Sequence, residues 1–117
     1  MRVILLILCS LLAACQTEHE ASALGGDREN GRLLLRQFGC GSCHEIPKVA
    51  AAHGKVGPPL SGVASRVYIA GVLANTPENM AAFIRHPQNA APRTAMPDLG
   101  VTAEHARDMV AYLYTLK

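Results

Sequence analysis

Apolar positions recur with the spacing of a helix face in three places along the chain. Over residues 27–38, Leu34 and Phe38 stand four apart with Leu35 beside them, while Arg28, Arg32 and Arg36 fall toward solvent, which predicts an amphipathic helix. A second helix is expected from Thr76 as N-cap and Pro77 at the first helical position, through Met80, Phe83 and Ile84, until Pro87 stops it. A third starts after Thr102 and runs to the end of the chain on a stripe of Ala106, Met109, Val110, Leu113 and Leu116. No segment alternates convincingly as a strand does, and the Gly- and Pro-rich stretches 48–62 and 89–100 read as long loops. The expected class is all-α, with three main helices and long connections.

The N-terminus carries a different pattern. Arg2 is followed by an apolar run over residues 3–12 and then by Ala13-Ala14-Cys15. One positive charge, about ten apolar residues and a small-residue exit fit an export signal, and the run is too short for the roughly 20 residues of a spanning helix. Leu12-Ala13-Ala14-Cys15 resembles the lipobox of bacterial lipoproteins, which implies cleavage before Cys15 and a lipid on its thiol. Ordinary cleavage nearby would leave Cys15 as an unpaired thiol in an oxidising compartment. Residues 1–14 are thus expected to be a signal peptide and 15–26, polar and rich in small residues, a tether. Residues 27–117 are expected to be the folded domain.

Removing Arg2 with the signal lowers the formal charge from +2 to about +1, and the charges are interspersed, so no nucleic-acid partner is expected. With no tryptophan, two phenylalanines and three tyrosines, the chain has few large groups for a core at a size where burial is already marginal. Something other than side chains should fill the centre.

Cys40-Gly41-Ser42-Cys43-His44 supplies the candidate, since C-x-x-C-H is the haem attachment pattern. Two cysteines at this spacing can each add to one haem vinyl group, and the adjacent histidine then faces the iron as an axial ligand. A zinc site would need a second Cys or His pair, and a thioredoxin-like dithiol would follow a strand in an alternating pattern of strands and helices. Neither feature is present in the sequence.

The second axial ligand has six candidates: Met80, Met96, Met109, His53, His86 and His105. Met80 and Met109 fall on apolar helix faces, where methionine fills core space. His105 sits in the first turn of the last helix, where it should be solvated, and His86 beside Pro87 is placed to interact with a helix terminus. Met96 lies in an irregular stretch, next to Pro97, that can swing its sulfur to the haem, and His53 is its main rival. A thioether opposite histidine favours ferrous iron and raises the potential.

The motifs together resemble a class I cytochrome c, and most closely the cytochrome c domain of haem-copper oxidase subunit II, here as a stand-alone lipoprotein. The resemblance rests on Gly31-Arg32, the segment from Phe38 to His44, Ile46-Pro47, Val56-Gly57-Pro58-Pro59-Leu60, Asn75-Thr76-Pro77-Glu78-Asn79, Ile84-Arg85, Pro87-Gln88, Met96-Pro97 with Gly100, and Ala111-Tyr112-Leu113. It implies a small fold wrapped around one covalent haem c. It also implies that the Pro58 carbonyl orients His44, that Arg66 pairs with a haem propionate, and that Tyr112 and Leu113 cross the first helix near Gly31 and Leu34. The tryptophan that bonds a propionate in many relatives is absent, leaving Tyr68 or backbone amides as further donors.

If both axial positions are filled, the iron has no open site for a substrate, and a non-enzymatic electron carrier is expected. It would shuttle electrons between redox proteins on the periplasmic side of a bacterial membrane, with a terminal oxidase as one acceptor. The alternatives are a dedicated electron-outlet subunit of a periplasmic dehydrogenase and, in another class, a haem sensor or peroxidase with Met96 displaced. Lys48, Lys55, Arg85 and Arg93 lie in segments expected to border the haem, where they would steer an acidic partner.

Overall fold

The computed structural model describes residues 24–117. The export signal, Cys15 and most of the expected tether lie outside the described residues. Helix α1 spans Arg28–Gln37. A 3₁₀ turn at Cys40–Ser42 and another at Val63–Ser65 follow, then strands β1 at Tyr68–Ile69 and β2 at Leu73–Ala74. Helix α2 is Pro77–Arg85, α3 is the short Pro87–Ala90, and α4 is Ala103–Leu113.

Each long helix starts where its sequence offers a cap. Asp27, Thr76 and Thr102 accept, respectively, from the backbone N–H groups of Asn30, Asn79 and His105, each satisfying a donor that the first turn leaves unpaired. Helix α2 ends at Arg85, ahead of Pro87, as expected.

Three features differ from the sequence expectation. Helix α4 stops at Leu113 rather than at the terminus, because the chain turns and the Leu116 carbonyl accepts from Ala64 N–H at 3.0 Å. A two-residue antiparallel hairpin pairs Tyr68 with Ala74 and Ile69 with Leu73. Pro87, which stops α2, also opens α3, so Asn89 and Ala90 belong to a helix and not to a loop.

The frame is the crossing of α1 and α4. Gly31 is buried there, and a Cβ at this position would strike the backbone of Asp108 and Met109. The closest approach thus falls at Asp108 and Met109, one turn before Tyr112 and Leu113, and Leu113 packs in the same core as Leu34. Asp108 pins the start of α1: its carboxylate accepts from Asp27 N–H at 2.8 Å and from the Asn30 side-chain amide at 2.7 Å. Tyr112 donates its hydroxyl to the Pro47 carbonyl at 2.5 Å, holding the loop that follows the cysteine motif. Leu34, Leu35, Met109, Val110 and Leu113 form the core between these helices, and Leu24 packs against its margin. No helix among the described residues is long and apolar enough to cross a membrane.

Candidate haem site

Beside this core lies a cavity of about 550 Å³ whose wall is mostly apolar, with Leu35, Val63, Ile69, Phe83, Ile84 and Val101 among its lining. Cys40, Cys43, His44, Pro58, Arg66 and Met96 line the same space. The sequence reading therefore brings its six haem-site residues to one cavity. Lys48, Lys55, Arg85 and Arg93 do not line it.

Gly39 turns the chain out of α1 with φ +73°, a left-handed conformation that glycine adopts without strain. The motif then winds into its 3₁₀ turn, with Cys43 and His44 N–H both donating to the Cys40 carbonyl at 3.2 and 3.0 Å. Neither cysteine is in a disulfide among the described residues, and burial pushes the Cys40 thiol above its ordinary pKa. The following loop is stitched onto the motif. Gly54 N–H donates to Gly41 O, Gly57 N–H to Cys43 O and Leu60 N–H to Glu45 O, at 2.9, 2.7 and 2.8 Å.

This loop sets the His44 ring. Its Nδ1 lies 2.7 Å from the Pro58 carbonyl, and because a carbonyl only accepts, Nδ1 carries the proton. Nε2 is then the unprotonated nitrogen, the form that ligates a metal. A Cβ on Gly57 would collide with the ring, so only glycine allows the loop to lie against it.

Arg66 is half-buried and donates to the carbonyls of Pro59 and Ser61, bracing the same loop from the far side of the Val63–Ser65 turn. Asn75 fixes that turn: its amide donates to Val63 O and Arg66 O at 2.9 and 2.8 Å, and its carbonyl accepts from the Tyr114 hydroxyl at 2.7 Å. The sequence marked Asn75 only as part of a motif, and nothing local to it signals this role.

The rival ligands separate by position. His53 is exposed, forms a backbone bridge with Glu45 and is not part of the cavity wall. His86 is exposed and turns to Asp98, with Nδ1 2.9 Å from the carboxylate, instead of engaging a helix terminus. His105 is not the solvated residue expected: it is half-buried, edge-on to Phe38 with ring centroids 5.8 Å apart, and its Nδ1 is buried without a partner. Met109 is fully buried in the core. Met80 does line the cavity, but from the buried face of α2.

These observations fit a haem. Two free thiols, a histidine with Nε2 unprotonated and a loop methionine converge on an apolar space, and Gly57 keeps the histidine side of that space clear of a side chain.

Comparison with known proteins agrees. The chain is 33% identical over 88 residues to cytochrome c oxidase subunit 2 of Alkalihalophilus pseudofirmus, a match that covers 74% of this chain and spans only about a quarter (25%) of that relative. The fold is similar to that of cytochrome c2 from Rhodobacter sphaeroides, with a TM-score of 0.56, 21% identity, and coverage of 78% of this chain and 96% of that one. Residues 28–117 match the family described as cytochrome c, and the chain belongs to that family, whose cofactor is covalently bound haem c.

Proposed function

We propose that this chain is a lipid-tethered monohaem carrier that passes single electrons between redox proteins on the extracytoplasmic side of a bacterial membrane, with an oxidase as acceptor. The observation that carries the reading is the convergence of Cys40, Cys43, His44 and Met96 on one apolar cavity. The oxidase as acceptor is supported by the likeness to an oxidase subunit.

Haem c, when bound, supplies a ferrous–ferric couple. Cys40 and Cys43 would hold it as thioethers, and His44 would present Nε2 to the metal, while the Pro58 carbonyl keeps the ring oriented and basic. Met96, in the cavity wall, would give its sulfur to the iron, and a thioether ligand would favour the reduced state. Arg66, at the cavity wall, braces the loop and would also offer its guanidinium to a propionate. Val56, Tyr68 and Leu99 are exposed and also line the cavity, so its mouth is apolar and suits a brief encounter of modest area.

With both axial positions filled by side chains, the reduced holoprotein is expected to leave carbon monoxide unbound at neutral pH. Ready binding would overturn the carrier reading in favour of a haem enzyme or sensor. The tether rests on the lipobox pattern alone, and a Cys15→Ser chain is expected to leave the membrane fraction; its retention there would refute lipidation at that residue.

A further inference from the structure

Met96 sits in a segment that the fold barely holds by its own backbone. Residues 95–101 make no backbone-to-backbone hydrogen bond among the described residues. Side chains fix the segment instead. Thr94 Oγ1, at the segment's leading edge, accepts from Met96 N–H at 3.2 Å, and Asp98 Oδ1, within it, accepts from Gly100 N–H at 3.0 Å. Among the described residues, the side chains that reach in from beyond the neighbouring Thr94 come from the junction of α2 and α3. Gln88 Nε2 donates to the Met96 carbonyl at 2.7 Å, His86 Nδ1 meets Asp98 Oδ2 at 2.9 Å, and Arg85 Nε approaches the Val101 carbonyl at 3.4 Å.

We propose that Gln88, supported by the contacts of His86 and Arg85, is a positioning residue that holds the Met96 thioether in place and sets how fast it can leave the iron. The inference rests on the reading of Met96 as axial ligand. Gln88 is its principal member for two reasons. Its bond is short and falls on Met96 itself, whereas the His86–Asp98 pair is about half exposed, with side chains 48% and 44% accessible, and such pairs contribute little. Pro87, in opening α3, fixes the backbone just before Gln88, so the amide is aimed by a rigid turn.

The test uses the ferric holoprotein and imidazole as probe. Imidazole can bind the iron only after the sulfur leaves, so at saturating imidazole the observed rate is the rate of thioether loss. Gln88→Leu, which keeps the bulk and removes the donor, is expected to raise that rate about tenfold, the effect of one ordinary hydrogen bond. Gln88→Lys, which can still donate to the Met96 carbonyl, is expected to restore a rate near wild type. Thermal midpoints should change little in either, since Gln88 is exposed.

A Gln88→Leu protein at the wild-type rate, or a Gln88→Lys protein as fast as Gln88→Leu, would overturn the proposal while leaving Met96 as ligand. A Met96→Ala protein that binds imidazole no faster than wild type would remove Met96 as ligand, and the proposal with it.

Discussion

Replacing Gly57 with valine is expected to cost the protein the geometry of its ligating histidine, a large effect for a substitution outside the attachment motif. A Cβ there meets the His44 ring atoms Nδ1 and Nε2 at 2.7 and 2.9 Å and crowds Cε1 still more closely, so the ring or the loop must move. Either movement breaks the bond from Nδ1 to the Pro58 carbonyl. Loss of such a partner commonly weakens metal binding by roughly 10–100-fold, and the overpacking adds about 1–3 kcal/mol of instability. The result is read from the absorption spectrum, as loss of the sharp low-spin bands in most of the purified protein. Gly71→Ala is the control. Gly71, unlike Gly57, has a positive φ, +71°, but nothing lies within 4 Å of its Cβ position, so only a modest stability loss and an unchanged spectrum are expected. A Gly57→Val protein with a wild-type spectrum would show that the loop does not set the ring.

Gly31→Val is expected to have the largest effect on stability. Glycine inside a helix ordinarily costs about 1 kcal/mol relative to alanine, so propensity alone would favour a side chain here. The packing opposes it, because the new Cβ would strike the Asp108 carbonyl where α1 crosses α4. Separating the helices would also strain the two bonds that the Asp108 carboxylate makes to the start of α1. A net loss of about 3 kcal/mol is expected, which lowers the thermal midpoint of a domain this size by roughly 12–24 °C. Thermal unfolding of the holoprotein measures it, and an unchanged midpoint would mean that the crossing tolerates more separation than this packing allows.

Thr76 was legible as a cap because capping is a local event, an acceptor side chain three residues before the N–H it serves; Asp27 and Thr102, read only as the places where helices begin, cap theirs at the same spacing. The attachment motif was legible for the same reason, five consecutive residues with one chemical use. Periodicity could set aside Met80, Met109, His86 and His105, which sit in regular helices or beside them, but not His53 in its loop; the structure places Met96 in the cavity wall with His53 outside. The features that escaped the reading are short or tertiary. The hairpin has two residues per strand and α3 has four residues, less than the period that would reveal them. Leu116 prolongs the apolar stripe of α4 past the true helix end, because the returning chain packs it on the same core. His105 looks like a first-turn surface residue until Phe38 arrives from α1. Gln88 and Asn75 act on carbonyls brought near by the fold, and an amide side chain gives no sign in sequence of which carbonyl it will meet.

The most direct test of the central claim is the optical spectrum of the mature protein, produced with haem attachment machinery, oxidised and reduced, alongside a Met96→Ala variant. The expected result is a covalently held haem with sharp reduced bands and a weak near-infrared sulfur-to-iron band in the oxidised protein that is lost in the variant. The variant's midpoint potential should fall by on the order of 100 mV, a modest share of the roughly 0.8 V over which axial ligands set haem potentials. An unchanged near-infrared band in the variant would exclude Met96 as ligand, and a protein that acquires no covalent haem would contradict the assignment of Cys40, Cys43 and His44 as the attachment site.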